Sequence, residues 1–142
     1  MKPWRVVLDT NVVVAALRSD GGASYRILMM LDEDSFQICL TVSLAMEYEA
    51  ASMRLVGETP LSRHDIEDVL DYLCSQALRR KVHFLWRPFL SDADDDMVLE
   101  AAVASGAKYI VTHNIRDFAG AEEFGIRILQ PGAFLAALRR RR

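Results

Sequence analysis

The chain has 142 residues, of which 51% are apolar and 26% are charged, and its formal net charge is -3. This length suits one domain covering residues 1–142, and the composition excludes a disordered or fibrous chain. The negative charge argues against a protein that coats nucleic acid non-specifically, because such proteins are usually basic. Charges interrupt the amino-terminal segment, and the longest uncharged central window, residues 35–46, is too short to span a bilayer. We therefore expect a soluble, cytoplasmic protein.

The first half of the chain alternates short apolar runs with segments of helical periodicity. Ser62 and Asp65 have the spacing of a capping box, which places the start of one helix. In chain order we predict a strand at 5–8, a helix at 12–17, a helix at 24–32, a strand at 36–40, a helix at 43–55 and a long helix from 62 through 78.

The second half continues the alternation, with Gly106 ending one helix and Pro131 opening another. In chain order we predict a strand at 82–86, a helix at 94–105, strands at 109–112 and 126–129, and a last helix from 131. Strands separated by helices favour right-handed crossovers and a parallel sheet. The predicted fold class is α/β, a three-layer α/β/α sandwich with a parallel sheet of four or five strands.

Polar and acidic residues follow several of the predicted strands. In an open parallel sheet, ligands bind beyond the carboxyl ends of the strands. Asp9 directly follows the first strand, where a purely structural acid would need a specific hydrogen-bond partner. Residues from several later segments are expected at the same edge, namely Glu47, Asp94, Asp95, Thr112, Asn114 and Asp117.

Several carboxylates at one edge repel one another, so their pKa values rise or a cation neutralises them. Mg²⁺ or Mn²⁺ is the usual partner of an oxygen-only cluster. Such an ion binds phosphate, activates water and stabilises a leaving oxygen. The pattern therefore indicates phosphodiester hydrolysis without a protein nucleophile. Taken alone, the run DADDD is also compatible with acids that complement the positive end of a helix.

Four segments in order, VVLDTNVVVAAL, SDGGAS, TVSLAMEYEAA and SDADDDMVLEAAVASGAKYIVTHNIRDF, extend over nearly the whole chain. With these segments the sequence resembles the PIN-domain proteins, in the branch of VapC-like toxins from bacterial toxin–antitoxin pairs. The resemblance implies a divalent-metal-dependent endoribonuclease that cleaves RNA. It also implies a homodimer and a small antitoxin partner whose tail lies across the acidic cleft.

The resemblance also assigns the site residues. Asp9, Glu47 and Asp95 match the first three family acids, and Asp92 and Asp94 are alternative ligands. Asn11 and Thr112 match positions that orient ligands or hold water and phosphate. At the fourth acidic position this chain has Asn114, which leaves the number of bound metals open, and Asp117 is a substitute ligand three residues later. The predicted catalytic and metal-binding set is therefore Asp9, Glu47, Asp95 and Asp117, with Asn11, Thr112 and Asn114 for the substrate.

Other Mg²⁺-dependent α/β proteins fit the sequence less well. A response-regulator receiver needs a lysine after a late strand, whereas Lys108 precedes its strand. A haloacid-dehalogenase-type phosphatase needs Asp-x-Asp after the first strand, and here Asn11 stands at the second position. No Gly-x-x-x-x-Gly-Lys phosphate loop is present. The remaining alternative is an inactive PIN fold that only binds RNA or a partner protein.

Overall fold

A computed structural model of the protein describes residues 2–81, 90 and 93–141. The predicted strand at 82–86 and the alternative ligand Asp92 lie outside these residues. The elements are, in chain order, β1 (Trp4–Leu8), α1 (Thr10–Arg18), α2 (Ala23–Met29), β2 (Phe36–Leu40), α3 (Val42–Met53), α4 (Arg63–Gln76), β3 (Leu78–Arg79), α5 (Ala93–Ser105), β4 (Tyr109–Val111), β5 (Arg127–Leu129) and α6 (Pro131–Arg141). Two 3₁₀ turns, Ile115–Phe118 and Ala121–Phe124, connect β4 to β5.

The described strands form one parallel sheet of five strands in the order β3-β2-β1-β4-β5. Val6, Val7 and Leu8 are consecutive in β1, yet each is at most 1% exposed. Because neighbouring side chains of a strand point to opposite faces, both faces of the central strand must be covered. Helices cover them, and the predicted α/β/α sandwich is confirmed.

Local sequence signals explain where the helices begin and end. The Ser62 hydroxyl accepts from the Asp65 amide at 3.1 Å, and the Asp65 carboxylate accepts from the Ser62 amide at 2.8 Å, so the predicted capping box is confirmed. The Thr41 side chain accepts from the Leu44 amide and caps α3. Gly106 ends α5 with a φ of 63°, a left-handed conformation that glycine adopts without strain.

Three predicted helices extend past the observed ends, and the one predicted at 43–55 ends at Met53. The helix predicted at 24–32 ends at Met29. The helix predicted to run through Leu78 ends at Gln76, because Leu78 pairs instead with Cys39 of β2. A two-residue strand has no periodicity of its own, and its formation depends on the long-range pairing. The edge strand β3 was therefore missed.

Aromatic rings close the amino-terminal edge of the sheet. Trp4 and Tyr109 begin their strands with ring centroids 5.0 Å apart, and Phe134 of α6 lies 6.0 Å from Tyr109. Two cations lie over Trp4, with Lys108 Nζ 5.0 Å and Arg141 Cζ 4.5 Å from the ring centroid. The basic end of α6 is therefore at the edge opposite Asp9. No helix in the described part of the chain is both long and apolar enough to cross a membrane.

Candidate metal centre

Asp9 lies at the carboxyl end of β1, at the N-cap position of α1. Its amide donates to the Val111 carbonyl at 2.9 Å, so the parallel ladder with β4 continues one residue past β1. The residue is buried, at 7% exposure, and its Oδ2 accepts from the Thr112 hydroxyl at 2.7 Å. A buried carboxylate needs such a partner. β1 and β4 are adjacent, which explains how residues so far apart in sequence meet.

The Thr112 hydroxyl oxygen is the centre of the polar network around Asp9. Besides donating to Asp9, it accepts from the Asn114 amide at 3.0 Å and from Asn11 Nδ2 at 3.3 Å. Asn11 Oδ1 in turn accepts from the His113 amide at 3.2 Å. The turn after β4 is thereby attached to the first turn of α1. Four of the predicted site residues, Asp9, Asn11, Thr112 and Asn114, are in one hydrogen-bonded group.

The charge on Asp9 is only partly compensated. Burial raises the pKa of its carboxyl above the ordinary value of 3.8, and the nearby Asp117 carboxylate raises the pKa further. Hydrogen bonds from Thr112 and Thr10 and the imidazole of His113 act in the opposite direction. Asp117 is exposed in the 3₁₀ turn after β4. The structure thus brings two of the four predicted acids into electrostatic contact.

Two residues of this edge were not predicted to matter. The Tyr48 hydroxyl donates to the Leu8 carbonyl, directly before Asp9. Burial and, to a smaller extent, the negative charge of Asp9 raise the pKa of Tyr48 well above its usual range. The phenol therefore stays protonated and remains a donor. Ser24 Oγ lies 3.0 Å from His113 Nε2 and positions the imidazole. No local motif signals either contact, although Tyr48 directly follows the predicted Glu47.

The remaining predicted acids lie on helices that start at the same edge. Glu47 is half-buried on α3; in the first turn of α5, Asp94 is exposed and Asp95 half-buried. Asp96 is 1% exposed and accepts from the Leu90 amide at 2.8 Å, so this acid holds the chain that enters α5. Among residues 2–81, 90 and 93–141, no three acidic, histidine or cysteine side chains form a group that could hold a metal.

The donor chemistry of this edge nevertheless fits a hard divalent cation. The predicted ligands offer only carboxylate oxygens, which Mg²⁺ and Mn²⁺ prefer. The pKa of Asp9 shows that its charge is unfavourable inside the protein, and a bound cation would reverse that effect. The site is thus chemically suited to a metal, with Asp9 and Asp117 as the two acids already in electrostatic contact.

Comparison with known protein families identifies the family of this chain. The family profile for the PIN domain matches residues 5–116. The chain belongs to the PIN-domain family. The matched range contains every predicted site residue except Asp117, which follows it directly.

A solved structure gives an independent view of the fold. The crystal structure of VapBC2 from Rickettsia felis, bound to a DNA fragment from their promoter, aligns with a TM-score of 0.57 at 17% sequence identity. The alignment covers 89% of this chain and 97% of the other. At this identity the match shows a shared fold. A search of curated protein sequences found no match.

Proposed function

We propose that the protein is a divalent-metal-dependent endoribonuclease that hydrolyses phosphodiester bonds at the carboxyl edge of its sheet. The proposal rests on the environment of Asp9. Its carboxylate is buried and accepts a hydrogen bond from the Thr112 hydroxyl, and the nearby negative charge of Asp117 raises its pKa further. In a PIN-domain chain, an unfavourable negative charge at the ligand-binding edge of a parallel sheet is best explained by a cation site.

In this proposal four acids, Asp9, Glu47, Asp95 and Asp117, hold Mg²⁺ or Mn²⁺. When bound, the metal supplies a Lewis acid that polarises the phosphate and activates a water. Thr112 keeps the Asp9 carboxylate in one orientation, as supporting hydrogen bonds do around metal ligands. Asn11 and Asn114 belong to the same hydrogen-bonded group as Asp9 and would contact the substrate beside it. His113, positioned by Ser24, is exposed and can contact the RNA.

We further propose that residues 1–142 form one nuclease domain that acts in the cytoplasm as the toxin of a toxin–antitoxin pair, as a homodimer. The likeness in fold to the VapBC2 structure supports the antitoxin partner. An apolar cavity of about 270 Å³ between α1, α2 and α4 offers a place for that partner. Met29 and Tyr72 line this cavity with 55% and 40% of their surface exposed. Exposed apolar surface of this kind is typical of protein interfaces.

The second candidate function is an inactive PIN fold that only binds RNA or a protein. Two observations favour it: Asn114 replaces an acid of the family pattern, and the described residues contain no complete metal-binding group. An uncharged amide holds a cation less firmly than a carboxylate does.

Cleavage of a labelled structured RNA in MnCl₂, MgCl₂ or EDTA separates the two functions. We expect the wild type to cut only with metal and Asp9→Asn to be silent. Asp34→Asn removes an exposed acid before β2, at the opposite edge, and should cut like the wild type. If wild type and Asp9→Asn are folded yet equally silent on a broad panel of RNAs, the binding module is the correct function.

A further inference from the structure

A second cavity, of about 560 Å³, opens beside the candidate metal centre. It lies at the carboxyl ends of β2 and β3, between α3 and α4. Its floor is apolar and includes Leu40, Ala45 and Leu70. At its mouth, Val42 is 75% and Met46 is 65% exposed. Large apolar side chains that are this exposed beside an apolar cavity are typical of a binding site.

Three consecutive cations, Arg79, Arg80 and Lys81, line the same cavity. All three are exposed, and none of them forms an ion pair with another described residue. Two acids, Glu49 and Asp71, also line the cavity, so the described residues of its lining carry one net positive charge. The chain as a whole has a net charge of -3, so the described lining of the cavity is more positive than the chain as a whole. A ligand with an apolar face and a negative charge would complement such a lining.

The cavity and the Asp9 site share a wall. Tyr48 lines the cavity, and its hydroxyl donates to the carbonyl of Leu8, the residue before Asp9. Thr41, which follows β2, lines the cavity as well. Both sites are at the carboxyl edge of neighbouring strands. A polymer held at Asp9 can therefore continue into the cavity.

We propose that this cavity binds an unpaired base of single-stranded RNA, while Arg79 and Arg80 contact the adjoining phosphates. The inference rests on the proposed nuclease function and specifies its substrate, since a base in the cavity has left its pairing partner. Sequence-dependent RNA binding commonly uses splayed bases that lie against apolar side chains or guanidinium planes. Here the apolar floor supplies the surface for the base, and the two arginines contact the phosphates on either side of it. Cleavage is then restricted to unpaired segments.

The first test measures binding of a short fluorescein-labelled oligouridylate by anisotropy in EDTA, so that no cleavage occurs. Arg79→Ala/Arg80→Ala should weaken binding about tenfold or more. The slope of log affinity against log salt should fall by about 1.4, because each lost phosphate contact removes roughly 0.7 for a single strand. The matched control, Arg139→Ala/Arg140→Ala, removes two exposed arginines at the opposite edge and should change neither value.

The base is tested separately from the phosphates. An abasic oligonucleotide of equal length keeps every phosphate and should bind the wild type about fivefold or more weakly.

Labelling of a cysteine gives a second test. Cys74 lines the cavity and is half-buried, whereas Cys39 is 1% exposed, so maleimide labelling of Cys74 reports on whether the cavity is occupied. The oligouridylate should slow this labelling in the wild type but not in the Arg79→Ala/Arg80→Ala variant.

Failure of this inference can be told from failure of the nuclease proposal. If the wild type cuts RNA with metal, but the Arg79→Ala/Arg80→Ala variant binds and cuts like its control, the cavity does not bind RNA. Equal binding of the oligouridylate and the abasic oligonucleotide would also overturn the base-binding role. If no RNA is cut, yet binding depends on the two arginines and on the base, the cavity proposal stands and the nuclease proposal fails.

Discussion

The two edges of the sheet differ in how their charges are compensated. At the amino edge, Trp4, Tyr109 and Phe134 pack ring against ring, and the cations Lys108 and Arg141 lie over Trp4. At the carboxyl edge, buried Asp9 has the Thr112 hydroxyl as a donor and the negative Asp117 nearby. At the amino edge, each of these rings and cations has a favourable neighbour. At the carboxyl edge, the negative charge of Asp9 is unfavourable.

This difference indicates that the amino edge stabilises the folded state, whereas the carboxyl edge is the part of the protein suited to binding a ligand. Aromatic packing and cation–π contacts stabilise the folded state without a ligand. A desolvated carboxylate destabilises it until a proton or a cation arrives. If the account is correct, substitutions at the amino edge change stability and leave the chemistry alone, and substitutions at the carboxyl edge change the chemistry.

The largest stability effect is expected at Phe134, which is fully buried and contacts Trp4, Phe36 and Tyr109. Phe134→Ala should lower the free energy of unfolding by about 3–5 kcal/mol, because it leaves a cavity at the amino edge. Urea unfolding measures the change, and Phe124→Ala, at a 42% exposed ring, should lose much less. Cleavage per folded molecule should be unchanged. A loss of cleavage would contradict the claim that the amino edge contributes only to stability.

Thr112→Val removes the hydroxyl from the network at the carboxyl edge while keeping the shape of the side chain. It should cost about 1–3 kcal/mol of stability, because Asp9 and two amide groups lose a partner. Cleavage should fall about 10–100-fold, as it does when the support of a metal ligand is removed. Thr59→Val removes a hydroxyl with two backbone partners in a distant turn and should leave cleavage intact. Equal cleavage by the two variants would contradict the role of Thr112.

A smaller effect is expected at Arg141, which lies over Trp4 and donates to the carbonyls of Lys2 and Ser35. Arg141→Ala should lower stability by about 1 kcal/mol, the usual size of a cation–π contact with its hydrogen bonds. The neighbouring Arg140→Ala, at an exposed position, should change the urea midpoint little. If both variants unfold like the wild type, the cations do not stabilise the amino edge.

The smallest effect has the opposite sign and concerns Asp9 without metal. Because burial raises its pKa above 3.8, the folded state loses stability as the pH rises from 3.8 through the raised value. Asp9→Asn cannot ionise, so it should be more stable than the wild type at neutral pH. The gain should shrink as the pH falls and vanish below 3.8, where the wild-type carboxyl becomes protonated in both the folded and the unfolded state. Urea midpoints at the two pH values measure this change.

Much of the fold could be predicted because local signals and tertiary packing agree. The strand Phe36–Leu40 has the predicted bounds, since an apolar run of that length suits a doubly covered strand. The helix after Ser62 begins where its capping box places it. The edge strand Leu78–Arg79 could not be predicted, because its formation depends on pairing with β2 and not on its own residues.

The candidate site was predictable in part for the same reason. Asp9, Thr112 and Asn114 follow strands that lie side by side, so topology alone brings them together. The roles within DADDD depend on helix phase: Asp96 is one turn before Leu99, on the buried face, and serves the backbone of Leu90. The contacts Tyr48–Leu8 and Ser24–His113 join distant segments and leave no pattern in the sequence.

The most direct test of the account is whether a cation removes the unfavourable charge at Asp9. Urea unfolding is measured with and without MnCl₂ for the wild type, Asp9→Asn and the opposite-edge control Asp34→Asn. At about a hundred times the dissociation constant, a ligand of the folded state stabilises it by about 2.7 kcal/mol. We predict this gain for the wild type and Asp34→Asn and none for Asp9→Asn. An equal gain in all three, or in none, would contradict a metal centre at Asp9.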